Sequence, residues 1–137
     1  YSRPALPRGF EDHLNGSVAG KLIKLIREIS DKPIYIGHIP LPAARVDIPP
    51  AQNREDYEAF VSTMNERIFA EMGVTLLSQP PGTVGDGFRT LRHFSVGSMR
   101  LDIGDKLSGR PHPEDDLRHL NADYGVLFWQ THLPAML

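Results

Sequence analysis

Apolar residues recur at steps of three and four in two stretches of the chain, the spacing of one face of an α-helix. The first stretch comprises Leu14, Val18, Leu22, Leu25, Ile26 and Ile29. The second comprises Tyr57, Phe60, Val61, Met64, Ile68 and Met72. Pro33 ends the first predicted helix, whereas Asn53 is the predicted N-cap of the second and Gly73 its left-handed stop. The pattern therefore predicts two main helices, each with one inward apolar stripe.

Shorter runs rich in β-branched, aromatic or alternating apolar residues predict strands. These runs are 34–39, 74–77, 88–96, 98–103 and 124–129. Gly97 separates the third run from the fourth, so these two predict a hairpin. The last run is continuously apolar and short, which favours a buried strand.

A third, shorter helix is predicted to begin at Pro113. Proline fits the first helical position, and acidic residues suit the first turn because of the positive end of the helix dipole. The acidic residues here are Glu114, Asp115 and Asp116, and Leu117 and Leu120 supply a short inward stripe.

The predicted element order is α, β, α, β, β, β, α, β, which indicates the α+β class. We expect a βαββαβ-like core with an added N-terminal helix. Its sheet would be mostly antiparallel, with the two main helices packed on one face. Residues 1–10 contain Pro4, Pro7 and Gly9 without any apolar period, which predicts an extended arm. Residues 11–137 are then expected to form a single α+β domain.

The amino-acid composition argues against several classes of function. The chain has 137 residues, of which 40% are hydrophobic and 23% charged, as is typical of a soluble globular domain. No apolar run is long enough for a membrane span, so no membrane association is expected. The net charge of −2 argues against nucleic acid as a partner. Without cysteine there is no thiol nucleophile or thiolate metal site, and we expect a cytoplasmic or virion location.

The segment from Arg110 to His119 is the part of the sequence richest in chemically active side chains. If a helix begins at Pro113, Asp115 and His119 share one face at i, i+4, and His112 lies just before it. Imidazole and carboxylate groups are ligands of divalent metals. His112, Asp115 and His119 are therefore candidate metal ligands, although capping and the helix dipole also explain acidic residues at this position.

Basic residues on the flank of the first helix give an anion-binding alternative. Lys21, Lys24 and Arg27 lie on the side away from Leu22 and Ile26. A solvated outer face accounts for them equally well. The glycines before Lys21 do not have phosphate-loop spacing, so no nucleotide or other cofactor is expected.

Four prolines and an apolar C-terminal tail favour contacts with other protein chains. Pro40, Pro42, Pro49 and Pro50 stiffen an edge or surface connection, and Leu133 and Leu137 lie in the tail. Because the sequence contains no group of residues with the spacing of a known catalytic site, we expect a non-catalytic structural or assembly subunit that binds other protein subunits. A homo-oligomer or a larger particle, for example a viral or phage connector or tail, would fit. A small metal-dependent enzyme or small-ligand-binding protein using the His112–His119 cluster is the first alternative, and an anion-binding module the second.

Overall fold

The computed structural model describes most of the chain. The described residues are 13–14, 16–51, 54–86, 88–101, 104, 106 and 108–137. They divide into two compact units, one comprising the described residues up to Gly37 together with Glu55–Ser78, the other comprising His38–Arg54 and Gln79–Leu137. The predicted arm over 1–10 lies outside the described residues, and the single domain over 11–137 stays a prediction.

The first unit contains both predicted main helices and two of the predicted strands. Its elements are α1 (Val18–Ile29), β1 (Ile34–Gly37), α2 (Glu55–Met64), a π-helical turn (Asn65–Phe69), a 3-10 turn (Ala70–Met72) and β2 (Val74–Leu77). The side chain of Ser17 caps α1 by accepting from the Gly20 N–H at 3.0 Å. Gly73 ends the second helical stretch with φ of 63°, as its position predicts.

The two strands of the first unit pair in parallel. Ile34 lies opposite Val74, and Gly37 lies opposite Leu77. A parallel pair needs a long crossover, and here α2 lies within the connection. The side chain of Asn65 extends the pairing at the other edge of β2, because Asn65 Nδ2 donates to the Leu76 carbonyl at 3.0 Å and Asn65 Oδ1 accepts from the Leu76 N–H at 2.7 Å.

Helix α1 buries a different face from the one predicted. Gly20 and Ile23 are buried, and the Arg27 guanidinium donates to the Met72 carbonyl at 2.9 Å and to the Gly73 carbonyl. Of the six residues expected to point inward, Leu14 is buried and Ile26 is half-buried, whereas four are exposed: Val18, Leu22, Leu25 and Ile29. The pattern of apolar residues did not predict this face because it leaves out glycine and arginine. Glycine nevertheless permits close packing of a helix, and arginine can bind the carbonyls at a helix end.

The second unit has little regular structure before its one long helix. Its elements are β3 (Val84–Gly85), β4 (Arg89–Thr90), a 3-10 turn (Arg92–Phe94), α3 (Ala122–His132) and a final 3-10 turn (Leu133–Ala135). β3 and β4 pair antiparallel. A mixed α+β composition is thus confirmed, whereas one mostly antiparallel sheet and a βαββαβ-like core are not: the described strands form two sheets of two strands each.

Two predicted strand regions of the second unit are wrong. Residues 124–129 lie within α3, because Asn121 caps that helix and Tyr124, Leu127 and Phe128 pack at helical spacing against Leu91 and Phe94. The predicted hairpin between 88–96 and 98–103 is not formed by its described residues. Instead β4 pairs with β3, and Met99 makes an isolated antiparallel bridge with Pro111.

Three buried polar side chains in the second unit form a hydrogen-bonded cluster. Gln79 Nε2 donates to the hydroxyls of Thr83 at 3.2 Å and Thr90 at 2.9 Å, and Gln79 Oε1 accepts from the Leu41 N–H at 3.0 Å. The Thr83 hydroxyl donates to the Pro80 carbonyl at 2.7 Å, and that of Thr90 donates to the Leu41 carbonyl. The side chains of Gln79, Thr83 and Thr90 are each at most 1% exposed.

The proline-rich segment over 40–50 runs beside β3 and β4. The Ala44 N–H donates to the Thr90 carbonyl at 2.8 Å, and the Ala51 N–H just beyond the segment donates to the Val84 carbonyl at 2.9 Å. The segment is therefore an extended connection whose backbone is partly paired. Across the part of the chain that the structure describes, no helix has both the length and the apolar character that a membrane span requires.

Candidate metal centre

Two backbone hydrogen bonds fix the position of His112 in the second unit. The His112 N–H donates to the Ser98 carbonyl at 2.9 Å, and the Arg100 N–H donates to the Arg110 carbonyl at 2.9 Å. These bonds hold the segment around His112 as a short antiparallel ladder. The imidazole of His112 is therefore attached to a paired stretch of backbone.

Asp116 organises the turn that follows, and it replaces the predicted helix. Its N–H donates to the Pro113 carbonyl at 3.0 Å, and its Oδ1 accepts from the N–H groups of Arg118 at 2.9 Å and His119 at 3.1 Å. An aspartate that binds the backbone N–H groups two and three residues on competes with helix formation. The prediction of a helix from Pro113, and with it the i, i+4 pairing of Asp115 with His119, is therefore wrong.

The turn brings two imidazoles to one carboxylate oxygen. Asp116 Oδ2 lies 2.8 Å from His119 Nδ1 and 3.2 Å from His112 Nδ1. The two histidine rings stack with their centroids 3.8 Å apart and their planes 7° apart. One ligand atom from each of the three residues can be chosen such that all lie within 4.8 Å of one another.

The three side chains differ in exposure. His112 is 7% exposed, Asp116 18% and His119 57%. His112 Nδ1 is buried and has no hydrogen-bond partner among the described residues, since its 3.2 Å contact with Asp116 Oδ2 has the distance of an ion pair but not the directions of a hydrogen bond. A buried nitrogen left unpaired has lost its hydration without compensation, which calls for an explanation.

The surroundings favour the protonation states that a metal ion needs. Burial and, after it, the electrostatic interactions with His119 and Arg100 lower the pKa of His112, against the opposing effect of Asp116. The hydrogen bonds from the Arg118 N–H and the His119 ring hold the pKa of the Asp116 carboxyl well below its ordinary value of 3.8. A neutral imidazole and an ionised carboxylate are the forms that coordinate divalent metals.

Of the predicted ligands, His112 and His119 belong to this cluster and Asp115 does not. Asp115 is exposed in the turn, and Asp116 supplies the carboxylate. The ring of His93 instead lies against the Phe94 ring, with the two centroids 4.1 Å apart. The sequence does contain a signal for Asp116. An aspartate often accepts from the backbone N–H groups two or three residues further on, which forms a turn, and the residues at those positions here are not proline.

The predicted anion-binding residues lie in the first unit. Lys21 and Lys24 are exposed, but the Arg27 guanidinium is occupied by carbonyl oxygens. These are the carbonyls of Ser30, Lys32, Met72 and Gly73. Arg27 thus joins the ends of two helical stretches, and anion binding by the two lysines stays a prediction.

The predicted partner-binding residues lie in the second unit. Pro42, Pro49 and Pro50 are exposed, and Pro40 is half-buried. Leu133 is 43% exposed and Leu137 99% exposed. Their exposure leaves them accessible to a partner, but no contact with another chain is described, so partner binding here stays a prediction.

Comparisons of the chain with protein-family models, with curated proteins and with solved structures gave no match.

Proposed function

We propose that the protein binds a divalent transition metal of the zinc class through His112, Asp116 and His119. The observation that supports this most directly is the buried His112 Nδ1, which has no hydrogen-bond partner among the described residues and lies 3.2 Å from a carboxylate oxygen that a second imidazole also contacts. Two histidines and one carboxylate form a ligand set used by zinc sites. Ligand atoms around a tetrahedral zinc lie about 3.3 Å apart, given bond lengths of about 2.0–2.2 Å. The contacts of 2.8 Å and 3.2 Å are close to this spacing, and one of the two stacked rings must turn out of the stack before both imidazoles can point at one ion.

Three protein ligands leave a fourth tetrahedral position. Catalytic zinc sites keep such a position for water or substrate, whereas structural sites use four protein ligands. The exposure of His119 at 57% places one side of the cluster in solvent. These features support the small metal-dependent enzyme or ligand-binding protein among the predicted alternatives.

Metal binding is tested by titrating the metal-free protein with Zn²⁺ in a calorimeter and with Co²⁺ by absorption. We expect one ion per chain and the visible absorption of tetrahedral Co²⁺. His112→Ala and His119→Ala should abolish both signals, whereas Asp115→Asn should leave them unchanged because that carboxylate is outside the cluster. Equal binding by the wild type and both histidine variants would reject the site.

Assembly with other protein chains is the second proposal. The observation that favours it is the row of exposed large apolar side chains on α1, which are 50% to 85% exposed. Contiguous exposed apolar surface of this kind often marks a protein interaction site. Sedimentation velocity over a range of protein concentrations tests it, and a monomer at every concentration would reject it. A particle component such as a connector or tail piece remains one form of this proposal.

A further inference from the structure

The outer face of α1 has the spacing of a coiled-coil seam. We call this face the α1 seam, and its residues are Val18, Leu22, Leu25 and Ile29. They are separated by steps of four, three and four, as alternating d and a positions of a heptad are. Their exposed fractions are 75%, 50%, 59% and 85%. Among the described residues the seam is therefore an unpartnered face of regular spacing. Gly20, Ile23 and Arg27 lie on the opposite face of α1, which packs within the first unit.

The flanks of the seam indicate what would cover it. In the heptad set by the seam, Lys21 and Glu28 occupy g positions on one side, and Ala19 and Ile26 occupy e positions on the other. When two such helices pack antiparallel, g residues face g residues and e residues face e residues. Lys21 of one copy then faces Glu28 of the second copy, and the small and apolar e residues face each other.

A parallel pair of the same helices lacks this complementarity. In a parallel coiled coil each g residue faces the e residue of the next heptad on the other helix. Lys21 would then face Ile26, which places a charge against an apolar side chain. The charge pattern therefore favours a second copy of this chain, in antiparallel orientation, over a parallel pair.

We propose that two copies of this protein associate through their α1 seams as an antiparallel, two-fold symmetric dimer. Val18 of one copy packs against Ile29 of the other, and Leu22 packs against Leu25. The two-fold axis makes the contact closed, so it forms a dimer and not a filament. This inference rests on the assembly proposal above and is independent of the metal site.

The length of the seam limits the strength of the contact. α1 has 12 residues and therefore a length of about 18 Å. Two stripes of this length bury less area than the roughly 1,200 Å² at the lower end of stable interfaces. We therefore expect a monomer–dimer equilibrium that depends on protein concentration.

The dimer is tested by sedimentation equilibrium with variants of the exposed α1 residues. Leu22→Glu should abolish the dimer, because it places a charge at the centre of the seam on both copies. Lys21→Glu should weaken the dimer constant by about tenfold, because two attractive pairs become repulsive, and the double variant Lys21→Glu with Glu28→Lys should restore it. Lys24→Glu is the matched control, because Lys24 is exposed on the same helix but lies outside the seam and its flanks. Circular dichroism confirms that each variant remains folded.

Orientation is tested with introduced cysteines, because the natural sequence contains none. In the antiparallel dimer Leu22 of one copy faces Leu25 of the other. A mixture of the Leu22→Cys and Leu25→Cys proteins should therefore form disulfide-linked dimers faster than either protein alone. Faster linkage of each variant with itself indicates a parallel pair and overturns the proposed orientation.

The outcomes separate this inference from assembly in general. A dimer that Leu22→Glu leaves intact overturns the α1 contact but retains assembly through another surface. A protein that stays monomeric at every concentration overturns both. Neither result bears on Zn²⁺ binding by His112 and His119, which has its own titration.

Discussion

Replacing Gln79 by leucine should destabilise the protein strongly, although the two side chains are similar in size. The leucine cannot accept from the Leu41 N–H or donate to the hydroxyls of Thr83 and Thr90. Both threonine hydroxyls still donate to carbonyl oxygens, so the Leu41 N–H is the group left unpaired among these contacts.

The structure sets the size of this effect. An unpaired N–H in a buried position costs about 1–3 kcal/mol, and each lost hydrogen bond between neutral groups costs about 0.5–1.5 kcal/mol. The loss of the Leu41 contact and of the two threonine contacts therefore sums to about 2–6 kcal/mol. For a chain of this length each kcal/mol lowers the melting temperature by about 3–4 °C, so we expect a decrease of about 6–24 °C.

Urea denaturation followed by fluorescence and circular dichroism measures the change in the free energy of unfolding. The midpoint should fall while the slope against urea concentration stays the same, since the same surface is exposed on unfolding. Gln130→Leu is the matched control, because Gln130 is exposed on α3, and we expect its effect to stay within about 0.5 kcal/mol. A Gln79→Leu effect no larger than that of the control would refute the assignment of a stabilising role to the buried cluster.

Three further changes test other parts of the structure. Asn65→Leu should cost about 2–5 kcal/mol in urea denaturation, because it leaves the N–H and carbonyl of Leu76 without their side-chain partner; an unchanged midpoint would contradict the strand-like role of Asn65. Because the folded protein depresses the pKa of Asp116, that carboxylate adds stability above its ordinary pKa of 3.8, and this stability is lost as the pH falls towards the folded value. Wild-type stability should therefore decline more steeply than that of Asp116→Asn between about pH 5 and 2, and parallel curves would contradict this. Gly85→Ala should cost about 1–3 kcal/mol, because the new Cβ would lie 2.5 Å from Ile48 Cδ1, and adding Ile48→Val should recover part of the loss in thermal denaturation.

The elements that could be predicted from the sequence are those with local start and stop signals. Pro33 and Gly73 mark where helical stretches have ended, and the runs that begin at Ile34 and Val74 form strands. The parallel pairing of these strands could not be predicted, because a local pattern does not specify which strand lies beside which. The length of α2 was also not predictable, since the same apolar period continues through the π-helical turn at Asn65–Phe69.

The second unit was harder to predict because its apolar runs are short and its side chains bond to backbone. The shortness of the apolar run over 124–129 favours a strand, but Asn121 caps a helix there by accepting from the Tyr124 N–H. At the candidate metal centre both histidines were predicted, but the carboxylate was assigned to Asp115. Asp115 would share a helix face with His119, but the segment is a turn and not a helix. In this turn Asp116 Oδ1 accepts from the N–H groups of Arg118 and His119.

The chain order of the two units has a consequence for how this protein can be divided or synthesised. Because 38–54 belong with 79–137, no single cut yields two fragments that each contain one whole unit. A nascent chain that has emerged as far as Ser78 contains all of the first unit. Residues 38–54, however, cannot pack in the second unit until residues 79–137 have also been synthesised. Ala43 and Ala44, both buried in the finished protein, then lack their partners around Thr90. Synthesis therefore includes an interval in which a stretch inside the chain needs protection from proteases and from wrong contacts.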